Sequence, residues 1–322
     1  MVAAKKKKIF LGFRSLLNDK STKKKLFVAS ALVLPIIGFS IFWVYIHIDS
    51  FLMAFQVKST KFVGRGEFSL DNYKRVFDEF FTNGLIPISL RNTLIFFFSG
   101  QLITFPIAIL TSYFVFKKVK GYRVFRTVSY LPTIITSSAL VALYRQSVVG
   151  NGPLSNLCNL FGITYVNPFD GSNPRAALIA IVVYTVLFGI GGNIIVLCGA
   201  MNSIDKQVIE SAELDGCSWF RELFSVVIPA IWPTISTIII LNFVSILGAS
   251  GPILAFTKGG NNVALVNATS TLSFLMYAYT AGLPFLGNIQ DMYYASTIGL
   301  IMTLMTFPIV LILRRFIFKE EK

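Results

Sequence analysis

Three cysteines, Cys158, Cys198 and Cys217, and a single histidine, His47, are the side chains most able to act as nucleophiles or soft metal ligands. Their placement gives them little to do. No two cysteines form a C-x-x-C pair, and an odd number cannot all pair with one another. One histidine supplies no zinc or haem ligand set. Cys198 lies in an apolar run, where a free thiol behaves as a small hydrophobe. His47 ends another such run, a place for an interfacial residue rather than a base. No paired carboxylates, and no Cys or His beside a base, fall near the end of an apolar run, so a membrane-embedded enzyme remains only an alternative class. Phosphate chemistry finds no support either. The loop G-x-x-x-x-G-K-[ST] is absent from the sequence, and Lys258-Gly259-Gly260 has no following Ser or Thr. The expectation is a protein that is not an enzyme and holds no metal, no cofactor and no ATP of its own.

A second set of residues suits binding rather than reaction. Gln101, Thr133, Thr136, Ser137, Ser138, Asn193, Ser236, Thr237, Asn242 and Ser245 are neutral hydrogen-bonding groups inside apolar runs. Such groups bond helix to helix, or line a path for a neutral, hydroxyl-rich solute. Tyr130, Tyr184 and Tyr294 are aromatic candidates for stacking on a sugar ring, or belt anchors near span ends.

The elements that must carry these residues follow from composition. The chain has 322 residues, 54% hydrophobic and only 14% charged, with mean hydropathy +0.69. Soluble domains are about 25% charged, so the expectation is an all-α integral membrane protein. Runs of about 20 apolar residues span a bilayer. Six are visible: Leu26–His47, Thr93–Phe116, Val128–Tyr144, Ala177–Met201, Ile228–Leu247 and Tyr293–Leu313, none containing Asp, Glu, Lys or Arg. Intramembrane charges mark proton or ion relays, and their absence from these runs leaves any active transport to be driven by a partner. Val263–Ala281, rich in Thr, Ser and Asn, reads as an external amphipathic or re-entrant helix rather than a seventh span.

The formal charge of +14 is a topology label. With the N-terminus inside and alternating spans, segments 1–25, 117–126, 202–225 and 314–322 are internal. They hold 20 of the 29 Lys and Arg but 8 of the 15 Asp and Glu. This is the positive-inside distribution, which accounts for the charge without nucleic acid and places both termini in the cytoplasm of a multi-pass cell-membrane protein. Lys5–Lys8 and Lys23–Lys25 flank apolar positions at helical spacing, fitting either an interfacial amphipathic helix on anionic headgroups or a disordered basic tail. The expected organisation is therefore a basic cytoplasmic N-terminus (1–25), a first span with an external segment (26–90), a core (91–313) containing loop 202–225, and a basic cytoplasmic tail (314–322).

Loop 202–225 breaks the basic rule, with two basic and five acidic residues. Asn202 or Ser203 is a helix N-cap candidate, and Ile204, Val208 and Ala212 share a helical face. Asp215-Gly216 is a stop signal, Ser218 caps a second helix, and Pro229 interrupts it where span five begins. Two short helices joined at Gly216 make either a docking knob or an ordinary amphipathic loop.

This segment resembles a known family. From Glu210 it is five residues to Asp215, six to Gly216 and nineteen to Pro229. That is the E-A-A, D-G, P spacing of permease subunits of binding-protein-dependent ABC importers, with Ser211 for the first Ala, Ala212 retained, and Cys217 for the Ala after Gly. Leu131-Pro132, Gly152, Asn156, Gly259-Gly260, Tyr294-Ala295-Ser296 and Phe68-Ser69-Leu70-Asp71-Asn72-Tyr73 are similar to the carbohydrate-importer branch over roughly residues 60–313. Within it, the chain resembles the larger partner of a maltose/glycerol-3-phosphate-type heterodimer. The resemblance implies the type I importer permease fold and a coupling loop made of Glu210, Ser211, Ala212, Asp215, Gly216, Cys217 and Pro229. It also implies a second permease, a cytoplasmic ATPase dimer that binds ATP, and an extracellular solute-binding protein as partners. The solute it implies is a sugar, oligosaccharide or glycoside, with a polyol phosphate as the alternative. The pathway residues expected are Tyr130, Ser137, Tyr184, Asn193, Asn242, Ser245 and Tyr294.

Overall fold

In a computed structural model, residues 20–58, 66–82, 84–171, 173–245, 251–257, 262–287 and 290–317 are described. The expected amphipathic segment lies almost wholly outside these residues, as do the Gly259-Gly260 turn and the end of the basic tail. The chain divides into two units, 1–53 and 54–322.

The first unit is helical from Lys20 to Met53, with a wider π turn at Ser40–Tyr45. The most apolar stretch of Phe27–Met53 has mean hydropathy 2.3, and none of it is buried. At 1.5 Å per residue it is about 40 Å long, enough to cross a bilayer. The helix continues through Pro35 and beyond His47 to take in Asp49, so the first span is longer than its apolar run. Phe39, Trp43 and His47, four residues apart, stack as a ladder with ring centroids 4.9 and 4.5 Å apart.

The second unit opens with a two-stranded antiparallel ribbon, Gln56–Lys58 against Gly66–Phe68, with Val57 opposite Glu67. The polar helix Asp71–Phe81 follows. Three further helices have the length and apolarity of spans: Leu85–Phe116, Pro174–Asn202 and Met292–Arg315. The first carries a π turn at Gly100–Thr104 and includes Arg91, outside the run expected from Thr93. Two expected spans are bent rather than straight. Tyr122–Ile134 meets Ser137–Leu160 at 107°, and Trp219–Ala230 meets Trp232–Ser245 at 74°. Counting each pair as one, the described residues hold six segments long and apolar enough to cross a membrane.

Pro174–Asn202 is the central helix. Asn173 caps it by accepting from the Ala176 N–H, and Pro174 occupies the first turn, where a missing N–H costs nothing. It packs on Phe105–Phe116 and Tyr122–Ile134. At Gly191 the approach is so close that a Cβ would stand 2.3 Å from the Ser129 carbonyl oxygen. One core cluster gathers Phe105, Tyr113, Ile194, Leu197, Met201, Ile209, Leu223 and Val227. A second gathers Val141, Phe169, Ile181, Tyr184 and Phe256. A third joins Val76, Ile86, Leu275, Tyr279, Tyr294 and Ile298.

Residues 263–281 depart most from expectation. They form two short helices, Val263–Thr269 and Leu272–Ala281, and the polar residues at their junction face inward: Thr269 and Ser270 are fully buried. The break at Ser270–Thr271 leaves backbone groups that need partners in apolar surroundings. Helix Leu85–Phe116 supplies them. Asn92 Nδ2 donates to the Ala268 and Ser270 carbonyls at 2.9 and 3.0 Å, and Thr93 Oγ1 accepts from the Leu272 N–H at 3.0 Å. The segment is a buried broken helix, not an external amphipathic one.

Candidate functional site

Loop 202–225 folds as two capped helices about a glycine. Asp205, rather than Asn202 or Ser203, caps Lys206–Leu214, its carboxylate accepting from the Gln207 N–H at 3.0 Å. Asn202 stays in the last turn of the central helix, donating to the Cys198 carbonyl. The short helix docks through Ile209, with Ile204 beside it, whereas Val208 remains exposed, so the packed face is offset from the one expected. Gly216, at φ +70°, ends the helix: its N–H donates to the Glu213 carbonyl and the Cys217 N–H to the Ala212 carbonyl, both at 3.0 Å. This is the Schellman pattern, in which glycine adopts the left-handed conformation without a Cβ penalty. Ser218 caps Trp219–Glu222, accepting from the Arg221 N–H at 3.5 Å. Pro229 follows in the turn just before the 74° bend.

Glu210, Ser211, Asp215 and Gly216 are exposed, and Ala212 and Cys217 half-buried. The Glu210 carboxylate pairs with no described residue, while the Ser211 hydroxyl donates to the Gln207 carbonyl at 2.7 Å. Two acidic residues of the loop behave differently. Glu213 and Glu222 share the ammonium of Lys117, the residue that closes helix Leu85–Phe116. Nζ lies 2.5 Å from Glu213 Oε1 and 3.0 and 3.1 Å from the two oxygens of Glu222, which is buried. Burial opposes the charge on Lys117, but the bonds to Glu213 and Glu222 outweigh it and its pKa is raised.

Between the helices lies a cavity of about 260 Å³. Helix Leu85–Phe116 lines it with Thr93, Phe96, Phe97, Gly100, Gln101 and Thr104; the central helix adds Ile181, Thr185, Gly189 and Asn193. Asn242, Ser245, Pro252, Ile253, Thr271 and Ser273 complete the wall. Its π turn, Gly100–Thr104, turns Gly100, Gln101 and Thr104 to the cavity, and such turns recur at functional sites. None of these lining residues is charged. The side-chain amides of Gln101, Asn193 and Asn242 are bonded to no described residue and stay available to a solute.

The structure brings Asn193, Asn242 and Ser245 to this cavity but not the other four expected pathway residues. Tyr184 is buried among Tyr144, Phe188 and Phe256. Tyr294 is fully buried beneath the Arg75 guanidinium, 4.0 Å from its ring, and donates its hydroxyl to Glu79. Tyr130 packs on the first core cluster, and Ser137 begins the helix after the 107° bend, exposed. The aromatic faces at the cavity belong instead to Phe96 and Phe97, the latter against Phe243 at 4.4 Å between centroids. Nothing in the sequence singles these two out from neighbouring Phe98, because a uniformly apolar run does not say which side faces inward.

Apolar helices of span length, two bent helix pairs, a helix–turn–helix with exposed carboxylates and an uncharged cavity fit a multi-pass membrane transport component. Residues 105–319 match the family of binding-protein-dependent transport system inner membrane components, and the chain belongs to that family. It is 24% identical over 309 residues, 94% of each chain, to the probable ABC transporter permease protein YesP of Bacillus subtilis. It is 28% identical over 162 residues, 50% of this chain and 54% of the other, to the multiple sugar-binding transport system permease protein MsmF of Streptococcus mutans. The sn-glycerol-3-phosphate transport system permease protein UgpA of Shigella flexneri is 26% identical over 266 residues, 82% of each. Among solved structures, a chain of a bacterial ABC transporter involved in the import of the acidic polysaccharide alginate superposes with TM-score 0.76 at 21% identity, covering 94% of this chain and 99% of that one. The fold is that of the type I ABC importer permeases.

Proposed function

We propose that this chain is one permease subunit of a heterodimeric, ATP-driven importer, and that its solute is a neutral carbohydrate: a sugar, oligosaccharide or glycoside. The uncharged cavity carries the reading. Free amides of Gln101, Asn193 and Asn242 and the hydroxyls of Thr93, Thr104, Thr185 and Ser245 suit the hydroxyls of a sugar, and Phe96 and Phe97 offer faces for its C–H surfaces. A phosphorylated polyol, as in the names of the UgpA relatives, favours Arg or Lys in its path, and none lines the cavity among the described residues.

Loop 202–225 is the coupling element. Glu210, with Ser211 and Ala212, enters a cleft on a cytoplasmic ATPase subunit and pairs there with a basic group. Asp215, Gly216 and Cys217 form the bend, and Pro229 marks the passage into the fifth span. ATP is bound by the partner ATPase dimer, and a solute-binding protein delivers cargo from the opposite side. The basic distribution supports a cytoplasmic loop and cytoplasmic termini. The Glu210 carboxylate, exposed and paired with no described residue, supports this reading. Closure of the ATPases would then rock the permease pair between inward-open and outward-open states.

The test is flux. The chain is co-purified with its second permease, ATPases and binding protein and reconstituted in proteoliposomes. Uptake is then measured for labelled neutral oligosaccharides, uronic-acid oligosaccharides and glycerol-3-phosphate. ATP-dependent accumulation of a neutral sugar is expected. Accumulation confined to the anionic solutes would overturn the substrate class.

A further inference from the structure

We infer that Lys117 is a positioning residue: a strut that fastens the coupling loop to the helix lining the cavity, so that displacement of the loop is delivered to the solute path. The inference rests on the importer reading above and adds the route by which the loop acts. The helix from Leu85 to Phe116 contributes six cavity residues, from Thr93 to Thr104, and ends at Lys117. Its end is capped. The Lys118 N–H donates to the Val115 carbonyl at 3.2 Å and the Val119 N–H to the Phe114 carbonyl at 3.3 Å, with Lys118 itself left-handed at φ +51°. A non-glycine residue keeps that conformation only where the surroundings demand it. From this fixed end the Lys117 ammonium reaches both sides of the loop's hinge. Glu213 lies on the helix before Gly216 and Glu222 on the helix after it.

One cation therefore bridges three elements, and the geometry resists motion of either loop helix relative to the membrane helix. Exposed ion pairs contribute little, but Glu222 is 2% exposed, and removing the partner of a buried charge leaves it uncompensated. Tyr113, one turn before Lys117, and Leu223, after Glu222, are fully buried in the same core cluster, so the strut is braced by packing on both sides. Glu210, by contrast, points away from the strut's role: it is exposed and pairs with no described residue. The loop thus separates an outward carboxylate for the ATPase from two carboxylates that hold it to the permease.

The test uses the co-purified complex with Cys158→Ser, Cys198→Ala and Cys217→Ser and a cavity reporter, Asn242→Cys. Labelling by a membrane-impermeant maleimide is timed with and without ATP plus orthovanadate. With Lys117 in place, trapping is expected to change the labelling rate by about tenfold, as a two-state shift requires. K117M is expected to reduce that change to less than about twofold while ATPase subunits still co-purify, E213Q, which leaves the buried Glu222 contact in place, to reduce it partway, and K117R, which keeps both carboxylate contacts, to restore most of it. Glu213 is exposed, so E213Q reports on the strut even if K117M does not assemble. A full trapping response in K117M or E213Q would overturn the inference. Failure of the chain with Lys117 intact to retain an ATPase would instead overturn the importer reading, and the strut with it.

Discussion

Two glycines fix geometry that no other residue reproduces, and each yields a different failure when replaced. Gly191 allows the central helix to meet Tyr122–Ile134 at a separation where even a methyl group would strike the Ser129 backbone at 2.3 Å. Gly191→Ala should force the helices apart and cost about 1–3 kcal/mol, typical of overpacking, visible as a lower thermal unfolding midpoint of the detergent-solubilised protein. An unchanged midpoint would show that the two helices do not pack this way. Gly216 has open space around it, so its requirement is conformational rather than steric. Gly216→Val places a β-branched residue at φ +70° and should disorder the bend at a cost of about 1–2 kcal/mol. Its mark is functional: insertion and permease pairing persist while ATP-driven uptake is lost. Glu210→Lys should act the same way without touching the fold, because the carboxylate it removes is exposed and pairs with no described residue. Uptake surviving both changes would remove the coupling role from this loop.

At the scale of elements, the buried break at Ser270–Thr271 makes the sharpest demand. Asn92 alone satisfies two carbonyls there. Asn92→Leu leaves both buried and unpaired, each costing about 1–3 kcal/mol. The variant should unfold at markedly lower temperature, with the 263–281 segment becoming accessible to protease; retention of full protection would show that water or another group takes over. This break was hidden in the sequence for the reason it is stable in the fold. Thr269, Ser270, Thr271 and Ser273 look like an exposed polar stripe, yet all four are buried: Thr269 and Thr271 bond backbone groups, and Ser270 and Ser273 pair with the hydroxyls of Ser89 and Thr271. The spans were legible because length and apolarity alone define them, and in loop 202–225 the Gly216 stop and the Ser218 cap because they act through neighbours in sequence, although the first cap falls on Asp205 rather than Asn202 or Ser203. What was not legible depends on facing. The apolar runs do not disclose that Phe96 and Phe97, rather than Tyr184 and Tyr294, reach the cavity, or that residues 128–144 bend through 107° after Ile134. Nor does the loop's excess of acid disclose that Lys117, more than ninety residues earlier, neutralises two of its five carboxylates.

For the whole molecule, the proposed importer divides the work between polypeptides: none of the described residues lining the cavity is charged, and the phosphate-cradling loop G-x-x-x-x-G-K-[ST] does not occur in the sequence. In that proposal the chain supplies a path and a lever, and the energy enters from outside through Glu210 and its neighbours. Purified alone, it should hydrolyse no ATP above a protein-free control; turnover by a clean single-chain sample would end this division of labour. The same logic makes the cavity's selectivity adjustable. Asn193 and Asn242 are on different helices, lining the same wall with unbonded amides. Replacing one of them with a cation, as in Asn193→Arg, adds a fixed positive charge to a space that otherwise has none among the described residues. A neutral sugar gains nothing from that charge and loses an amide, so its uptake should fall by about tenfold, the loss of one good hydrogen bond. An anionic sugar of the same size gains a bidentate partner, and its uptake relative to the neutral one should rise. Parallel loss of both solutes would mean that the cavity is not on the path, and an unchanged ratio would place selection in the binding protein or the second permease instead.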